Sequence, residues 1–178
     1  MAIFCVLGAI NLYDIVFQDQ YPEITAQAGI VAAKIAEQSP HHELAHHNFN
    51  EDTAWEALQP SLQILDSICP EASKWARSQK AAGRLIWETK DTAAFAHYNI
   101  KSSSLIINCC VFELKNSERA CTIAHEFRHS RQNGSKYWKS TAFVLLMGYR
   151  NDSILEDDAY FYECRVREAI YGSQNGYR

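Results

Sequence analysis

The run ACTIAHEFRH, residues 120–129, carries the most informative pattern of the sequence. It places His125 and His129 four positions apart, directly after an uncharged run. On an α-helix, residues four apart lie one turn apart on the same face, so both imidazoles would point into the same space. The apolar positions that would face the core are Ala120, Ile123, Ala124 and Phe127. The pattern therefore predicts a helix that buries one side and turns its two histidines toward a cleft.

The His-Glu-x-x-His spacing is typical of a catalytic zinc site. Two imidazoles one turn apart can hold one Zn²⁺, and Glu126 is placed to take a proton from a water on the metal. The sequence therefore predicts His125 and His129 as metal ligands, Glu126 as the catalytic residue and Zn²⁺ as the cofactor of a hydrolase. Arg128 is expected to pair with an acidic neighbour, and Gln132, one turn past His129, to line the cleft.

The same spacing occurs a second time in HELAH, residues 42–46. This copy lies in the histidine-rich run 41–47, with only Leu44 and Ala45 as apolar neighbours. Because such a run produces the spacing easily, it is interpreted as a surface segment that binds metal only adventitiously, and residues 125–129 are favoured. A third possibility is that all of these histidines are structural and the chain binds no metal.

Two histidines do not complete a catalytic zinc site, which usually has three protein ligands and a water. His129 is the last histidine of the chain, so the third ligand is either a downstream carboxylate or His97 upstream. An acidic cluster, residues 156–158, opens the last predicted helix. A carboxylate from this cluster is the cleaner solution.

A helical projection shows in which direction each acidic side chain of this cluster is expected to point. Glu156 and Asp158 flank the apolar stripe of the predicted helix, whereas Asp157 points into solvent and Glu163 lies below Glu156. Geometry alone leaves Glu156 and Asp158 as near equals for the third ligand. Glu156 also stands three positions after Ser153, the spacing of a capping box, which is a purely structural alternative.

Length and composition set broader limits. A chain of 178 residues with 47% hydrophobic and 21% charged residues is expected to form one soluble domain, residues 1–178. The net charge of −4 and the isoelectric point near 6.0 argue against a nucleic-acid binder, because the basic residues are scattered.

Neither of two apolar stretches, residues 1–13 and 141–148, is long enough to span a membrane. The first is interpreted as a buried element, with an atypical export signal as the alternative. None of the six cysteines forms a C-x-x-C pair, so zinc-thiolate sites are not expected, and a reducing, cytoplasmic setting is favoured.

The order of predicted elements indicates an α+β domain. A helical first part, residues 1–83, precedes a mixed part that contains a small sheet and the histidine helix. Helices are predicted at 24–38, 52–69, 71–82, 117–132, 137–147 and 152–171, and strands at 84–87, 93–98 and 104–112.

The run HEFRHSRQ, residues 125–132, followed by EDDA, residues 156–159, resembles the gluzincin branch of zinc metallopeptidases. It is most similar to short bacterial and phage-type metallopeptidases, over residues 84–172. The resemblance implies a zincin-like core: a small, mostly antiparallel sheet packed on the active-site helix, with additional helices. It also implies that Glu156, three residues before Ala159, is the third zinc ligand.

The same resemblance implies that strand 104–112 is the sheet edge along which an extended peptide or protein substrate lies. One position departs from the family pattern. Many relatives carry an aspartate directly after the alanine, which supports a zinc histidine, and here Tyr160 stands in that place. The group that supports the histidine is therefore expected to differ.

Two other functions fit the same residues. The first is a zinc hydrolase of a different amide, such as cell-wall peptide. The second is a non-catalytic binding or regulatory module with a lapsed site.

Overall fold

The computed structural model describes residues 49–89, 94–132 and 151–172. Within these ranges the chain forms helices and a small sheet, which confirms the α+β class. The elements in chain order are α1 (Glu51–Ile68), α2 (Pro70–Ala81), β1 (Leu85–Glu88), β2 (Ala96–Asn99), β3 (Ser104–Asn108), α3 (Asn116–Arg131) and α4 (Asn151–Tyr171). The predicted helices 24–38 and 137–147, the N-terminal stretch 1–13 and the HELAH copy at 42–46 lie outside the described residues.

Helix α1 continues through a proline. Asn50 caps its first turn by accepting two backbone N–H bonds at 3.0 and 3.2 Å. Pro60 lies inside the helix, where the missing N–H weakens the hydrogen bonds of the preceding turn. The carbonyl of Ala57 in that turn accepts a bond of 2.9 Å from Nη1 of the fully buried Arg119 on α3. A side chain of α3 thus satisfies a backbone group of α1 and holds the two helices together.

The sheet has the order β1-β3-β2, with β1 parallel and β2 antiparallel to β3. The prediction of a mostly antiparallel sheet is therefore wrong for the described residues: one pair of strands is of each kind. The predicted edge strand is also wrong, because β3 is the central strand. All five residues of β3 are buried, as expected for a strand with neighbours on both sides.

The strand nearest the histidine helix is β2, which packs against α3. The N–H of Asn108 donates to the carbonyl of Phe95 at 2.9 Å, so these two residues form a hydrogen-bonded pair. Pairs in an antiparallel ladder alternate, so the backbone N–H and C=O groups of Ala96 and Tyr98 point away from β3. The outer edge of β2 therefore faces α3.

Strand β3 ends four residues earlier than predicted. The side chain of Asn108 accepts the N–H of Cys110 at 3.0 Å, a turn that starts the short 3₁₀-helix Cys109–Glu113. The apolar residues at 109–112 predicted that the strand continues, but the turn at Asn108 ends it. The turn leads into α3, which begins at Asn116; Lys115 precedes it and its N–H donates to Glu118 at 3.0 Å.

Helix α3 is the centre of the packing and contacts α1, α2, α4 and β2. Its apolar stripe lies in one hydrophobic core with one face of the sheet and the inner faces of α1 and α4. The core members from α3 and α4 include Ala120, Ile123, Ala124, Phe127, Tyr162, Val166 and Ile170. None of the described helices has the length and apolar composition of a membrane span.

Candidate metal centre

The two histidines of α3 project from one face of the helix, as the four-residue spacing predicts. The ring centroids of His125 and His129 are 4.8 Å apart, and their Nε2 atoms are separated by 3.1 Å. Both side chains are mostly buried, with 18% and 14% of their surface exposed. The helix beneath them is held firmly because the apolar stripe on its other side is buried in the core.

Helix α4 brings a carboxylate to this pair. Oε2 of Glu156 lies 3.4 Å from Nε2 of His125, and Oε1 lies 3.4 Å from Nε2 of His129. The side chain of Glu156 is 66% exposed, so the cluster opens toward solvent on this side. The structure thus brings together the three residues predicted as metal ligands, and this group could hold a metal ion.

The spacing of the two imidazole nitrogens suits a tetrahedral ion. Ligand bonds of about 2.0–2.1 Å at tetrahedral angles put ligand atoms about 3.3–3.4 Å apart. The two Nε2 atoms are 3.1 Å apart, close to that value, and each lies 3.4 Å from a different oxygen of the Glu156 carboxylate. Two imidazoles and one carboxylate are a ligand set that zinc accepts, although the same set also binds other divalent metals.

The first histidine is oriented by a carboxylate on α4. Nδ1 of His125 lies 3.2 Å from Oε2 of Glu163, whose other oxygen accepts a bond of 2.6 Å from Arg167. Because a carboxylate only accepts, Nδ1 carries the hydrogen and the lone pair of Nε2 is left for the cluster. Glu163 therefore supports His125 by a hydrogen bond. Tyr160, which stands at the position of the expected aspartate, leaves this role to another residue.

The second histidine is oriented by an amide. Nε2 of Gln132 donates to Oδ2 of Asp158 and to the carbonyl of Leu155, both at 2.8 Å. Oε1 of Gln132 therefore faces Nδ1 of His129, at 2.8 Å, and accepts its hydrogen. Gln132 is buried beneath the histidine, so the prediction that it lines the cleft is wrong.

Asp158 is occupied elsewhere. Its two oxygens accept bonds of 2.7 and 3.1 Å from the guanidinium of Arg128, and both side chains are almost fully buried. The predicted pairing of Arg128 with an acidic neighbour is confirmed. The alternative of Asp158 as third ligand is not supported, since the carboxylate that approaches both histidines belongs to Glu156. Asp157 is exposed, as predicted.

The electrostatics follow from these contacts. Burial lowers the pKa of His125, but the hydrogen bond with Glu163 and the charges of Glu126, Glu163 and Glu156 outweigh it and raise that pKa. For Glu163, burial is outweighed by the bonds from His125 and Arg167, and its pKa is lowered. The two shifts favour a charged pair when only protons occupy the cluster.

Glu126 lies beside the cluster and is 5% exposed. Its carboxylate is hydrogen-bonded to the backbone N–H of Tyr98 on the outer edge of β2. Its Oε2 has no hydrogen-bond partner in the described part of the chain. Burial raises the pKa of Glu126, against the opposing charges of His129 and His125. An acceptor atom is thus held ready next to the two histidines.

Two alternatives from the sequence lie apart from this cluster. His97 is exposed on β2 and is not part of the group, and the HELAH copy lies outside the described residues. Sequence reasoning gave no role to Glu163 and did not find Tyr98. The helical projection placed Glu163 below Glu156, on the same face, but nothing in the sequence indicated that it would bind His125. No local signal identifies the backbone of Tyr98.

No protein-family model, no curated protein and no solved structure matches this chain.

Proposed function

We propose that the protein is a zinc-dependent metallopeptidase. The observation that carries this proposal is the convergence of His125, His129 and Glu156 beside the buried carboxylate of Glu126. Three ligand atoms and one adjacent acceptor are what metal-assisted hydrolysis of an amide requires. The resemblance of residues 125–132 and 156–159 to gluzincins supports the same reaction and a zincin-like core.

In this proposal, His125, His129 and Glu156 hold the ion. A bound zinc ion supplies a Lewis acid for the scissile carbonyl and lowers the pKa of a water toward about 7. Glu126 accepts the proton of the attacking water on Oε2, the atom that has no other partner in the described structure, and passes it to the leaving amine. Burial raises the pKa of Glu126, which suits a group that both takes and returns a proton.

The substrate would lie along β2 and not along β3. The central position of β3 leaves no free edge there, whereas the outer edge of β2 faces α3 and Glu126. The N–H of Tyr98 is taken by Glu126, but the groups of Ala96 on the same edge point outward. An extended peptide that pairs with this edge would pass close to Glu126.

The first test is metal content. Purified protein is expected to hold about one zinc per chain, removable by a chelator, and His125→Ala and Glu156→Ala should lose most of it. Asp157→Ala, an exposed neighbour of Glu156, is the matched control and should keep the metal. A chain without chelator-sensitive metal would contradict the proposal.

The second test is chemistry. Glu126→Gln should retain zinc yet lose hydrolysis of a peptide library, by a factor of at least about 10², the lower limit for general-base catalysis. Full activity in this variant would rule out the proposed role of Glu126. Activity confined to cell-wall peptides would change the substrate class, and zinc without any hydrolysis would leave a non-catalytic binding module.

A further inference from the structure

The side chains behind the two proposed zinc histidines are anchored in different ways. Behind His129, the amide of Gln132 donates two bonds of 2.8 Å to groups of α4, so it cannot turn away from the ring without losing both. Behind His125, the carboxylate of Glu163 uses one oxygen for the ring and leaves the second oxygen to another partner. The group that holds this second oxygen therefore decides how firmly His125 is oriented.

Arg167 anchors Glu163. Its Nη2 donates to Oε1 of Glu163 at 2.6 Å, whereas Oε2 lies 3.2 Å from Nδ1 of His125. Arg167 stands one turn after Glu163 on α4, and the two side chains are only 34% and 16% exposed. A charge-assisted bond of this length at a partly buried position is stronger than the usual pair on a helix surface. Glu163 is thus held at both oxygens, by α4 on one side and by α3 on the other.

The guanidinium of Arg167 lies on the side of α4 that faces α3. Its positive charge acts on the buried thiol of Cys121, one turn before His125 on α3, and opposes the burial that raises the pKa of this thiol. Residues 156, 163 and 167 share one face of α4 by their spacing of seven and four, and Glu156 and Glu163 both approach His125. Arg167 therefore continues the row of α4 side chains that faces the first histidine.

We propose that Arg167 is a positioning residue of the metal site. It holds the carboxylate of Glu163 against Nδ1 of His125, and so keeps the Nε2 lone pair of that histidine directed at the ion. Without Arg167, the carboxylate can turn toward solvent, and His125 can carry its hydrogen on Nε2, the form that cannot bind metal there. This inference rests on the proposed function, because it assigns a role in metal binding at the same site.

Zinc affinity is the first test, measured on the full chain by competition with a chromogenic chelator. Arg167→Met should raise the dissociation constant for zinc about 3- to 10-fold, no more than loss of the Glu163 carboxylate itself. Arg167→Lys keeps a cation one turn from Glu163 and should stay within about 2-fold of wild type. Arg165→Met is the matched control, because it makes the same substitution about 200° from Glu163 around α4 and should alter nothing.

The sign of the change distinguishes positioning from simple charge repulsion. Arg167 is a cation near a cation site, so a purely electrostatic role predicts that Arg167→Met binds zinc more tightly. In a Glu163→Ala background no carboxylate remains to be held, and Arg167→Met should then not weaken zinc binding. Tighter binding by the single variant, or the same loss in both backgrounds, overturns the inference.

The tautomer of His125 separates this inference from the proposed function. In metal-free protein at alkaline pH, nitrogen NMR of labelled histidine shows which ring atom carries the hydrogen, and the His125 signal is the one absent from His125→Ala. Wild type and Arg165→Met should carry it on Nδ1, and Arg167→Met should populate the Nε2 form as well. If wild type binds no zinc but this shift occurs, the peptidase proposal fails and Arg167 still positions His125. An unchanged tautomer in Arg167→Met overturns the inference whether or not the chain binds zinc.

Discussion

At the scale of single residues, the hydrogen atoms decide what the cluster can bind. Glu163 and Gln132 each accept a hydrogen from a histidine Nδ1, so the two Nε2 lone pairs face each other and the carboxylate of Glu156. When both rings are neutral, three acceptors meet at the cluster, and a proton or a metal cation is needed to join them. This arrangement gives two residues outside the ligand set a direct influence on metal affinity.

Glu163→Gln tests this influence. The neutral amide holds His125 less firmly and lowers its basicity, so the dissociation constant for zinc should rise about 10-fold, the low end of the range for such partners. Competition with a chromogenic chelator measures the change. Glu168→Gln, an exposed position on the same helix, is the control. Equal affinities in the two variants would show that Glu163 does not support the metal site.

The same pair predicts a pH dependence in metal-free protein. The pKa of His125 is raised above 6.5, so its contribution to stability is fully present below pH 6.5 and is lost as the pH rises through the raised value. The pKa of Glu163 is lowered from 4.5, so its contribution is present above pH 4.5 and is lost as the pH falls through the lowered value. The difference in free energy of unfolding between wild type and Glu163→Gln should therefore be largest between about pH 4.5 and 6.5. Urea unfolding in chelator at several pH values measures it, and a difference that keeps growing above pH 8 would contradict the assignment.

At the scale of elements, α3 and α4 are joined by a buried ion pair as well as by apolar packing. Arg128 and Asp158 are 1% and 0% exposed and form two hydrogen bonds. The sequence predicted both helices, because their 3.6-residue periodicity is local. It could not choose between Glu156 and Asp158, because both flank the apolar stripe and only the position of Arg128 on α3 separates them.

Asp158→Ala should therefore be strongly destabilising. Removing one partner of a buried pair leaves Arg128 without its carboxylate and costs about 3–5 kcal/mol of unfolding free energy. Asp157→Ala, the exposed neighbour, should change it by less than about 0.5 kcal/mol. Chemical denaturation of both variants checks the difference, and similar midpoints would mean that the pair contributes little.

At the scale of the whole molecule, the site is assembled from distant parts of the sequence: an edge strand, the central helix and the last helix. The two histidines could be predicted as a pair because spacing on one helix fixes their common face, whereas the choice of Glu156 came from the resemblance. It could not be predicted that β2, and not β3, lies next to the site, because strand order depends on pairings between segments that carry no local signal. The residues of β3 are the most apolar of the three strands, which fits its central place in the sheet. The resemblance nevertheless placed this strand at the edge.

Metal binding should stabilise the folded chain as a whole. An ion that binds only the assembled ligands adds about 2.7 kcal/mol at one hundred times its dissociation constant. Thermal or urea unfolding with zinc and with chelator measures this gain, which His125→Ala should abolish. An equal gain in that variant would place the ion elsewhere, for example on the histidines of residues 41–47.

The Arg128–Asp158 pair also closes a long loop, because the two residues stand 30 positions apart in the sequence. Bringing together the ends of a flexible segment of that length costs about 3 kcal/mol of chain entropy. The ion pair and the bond from Gln132 to Asp158 join these ends without using any of the three proposed metal ligands. Under the proposed function, an ion would meet ligands that are already side by side, and we expect its rate of capture not to be limited by the ordering of α4. We therefore expect Asp158 to influence how fast the protein takes up metal although it is not itself a ligand.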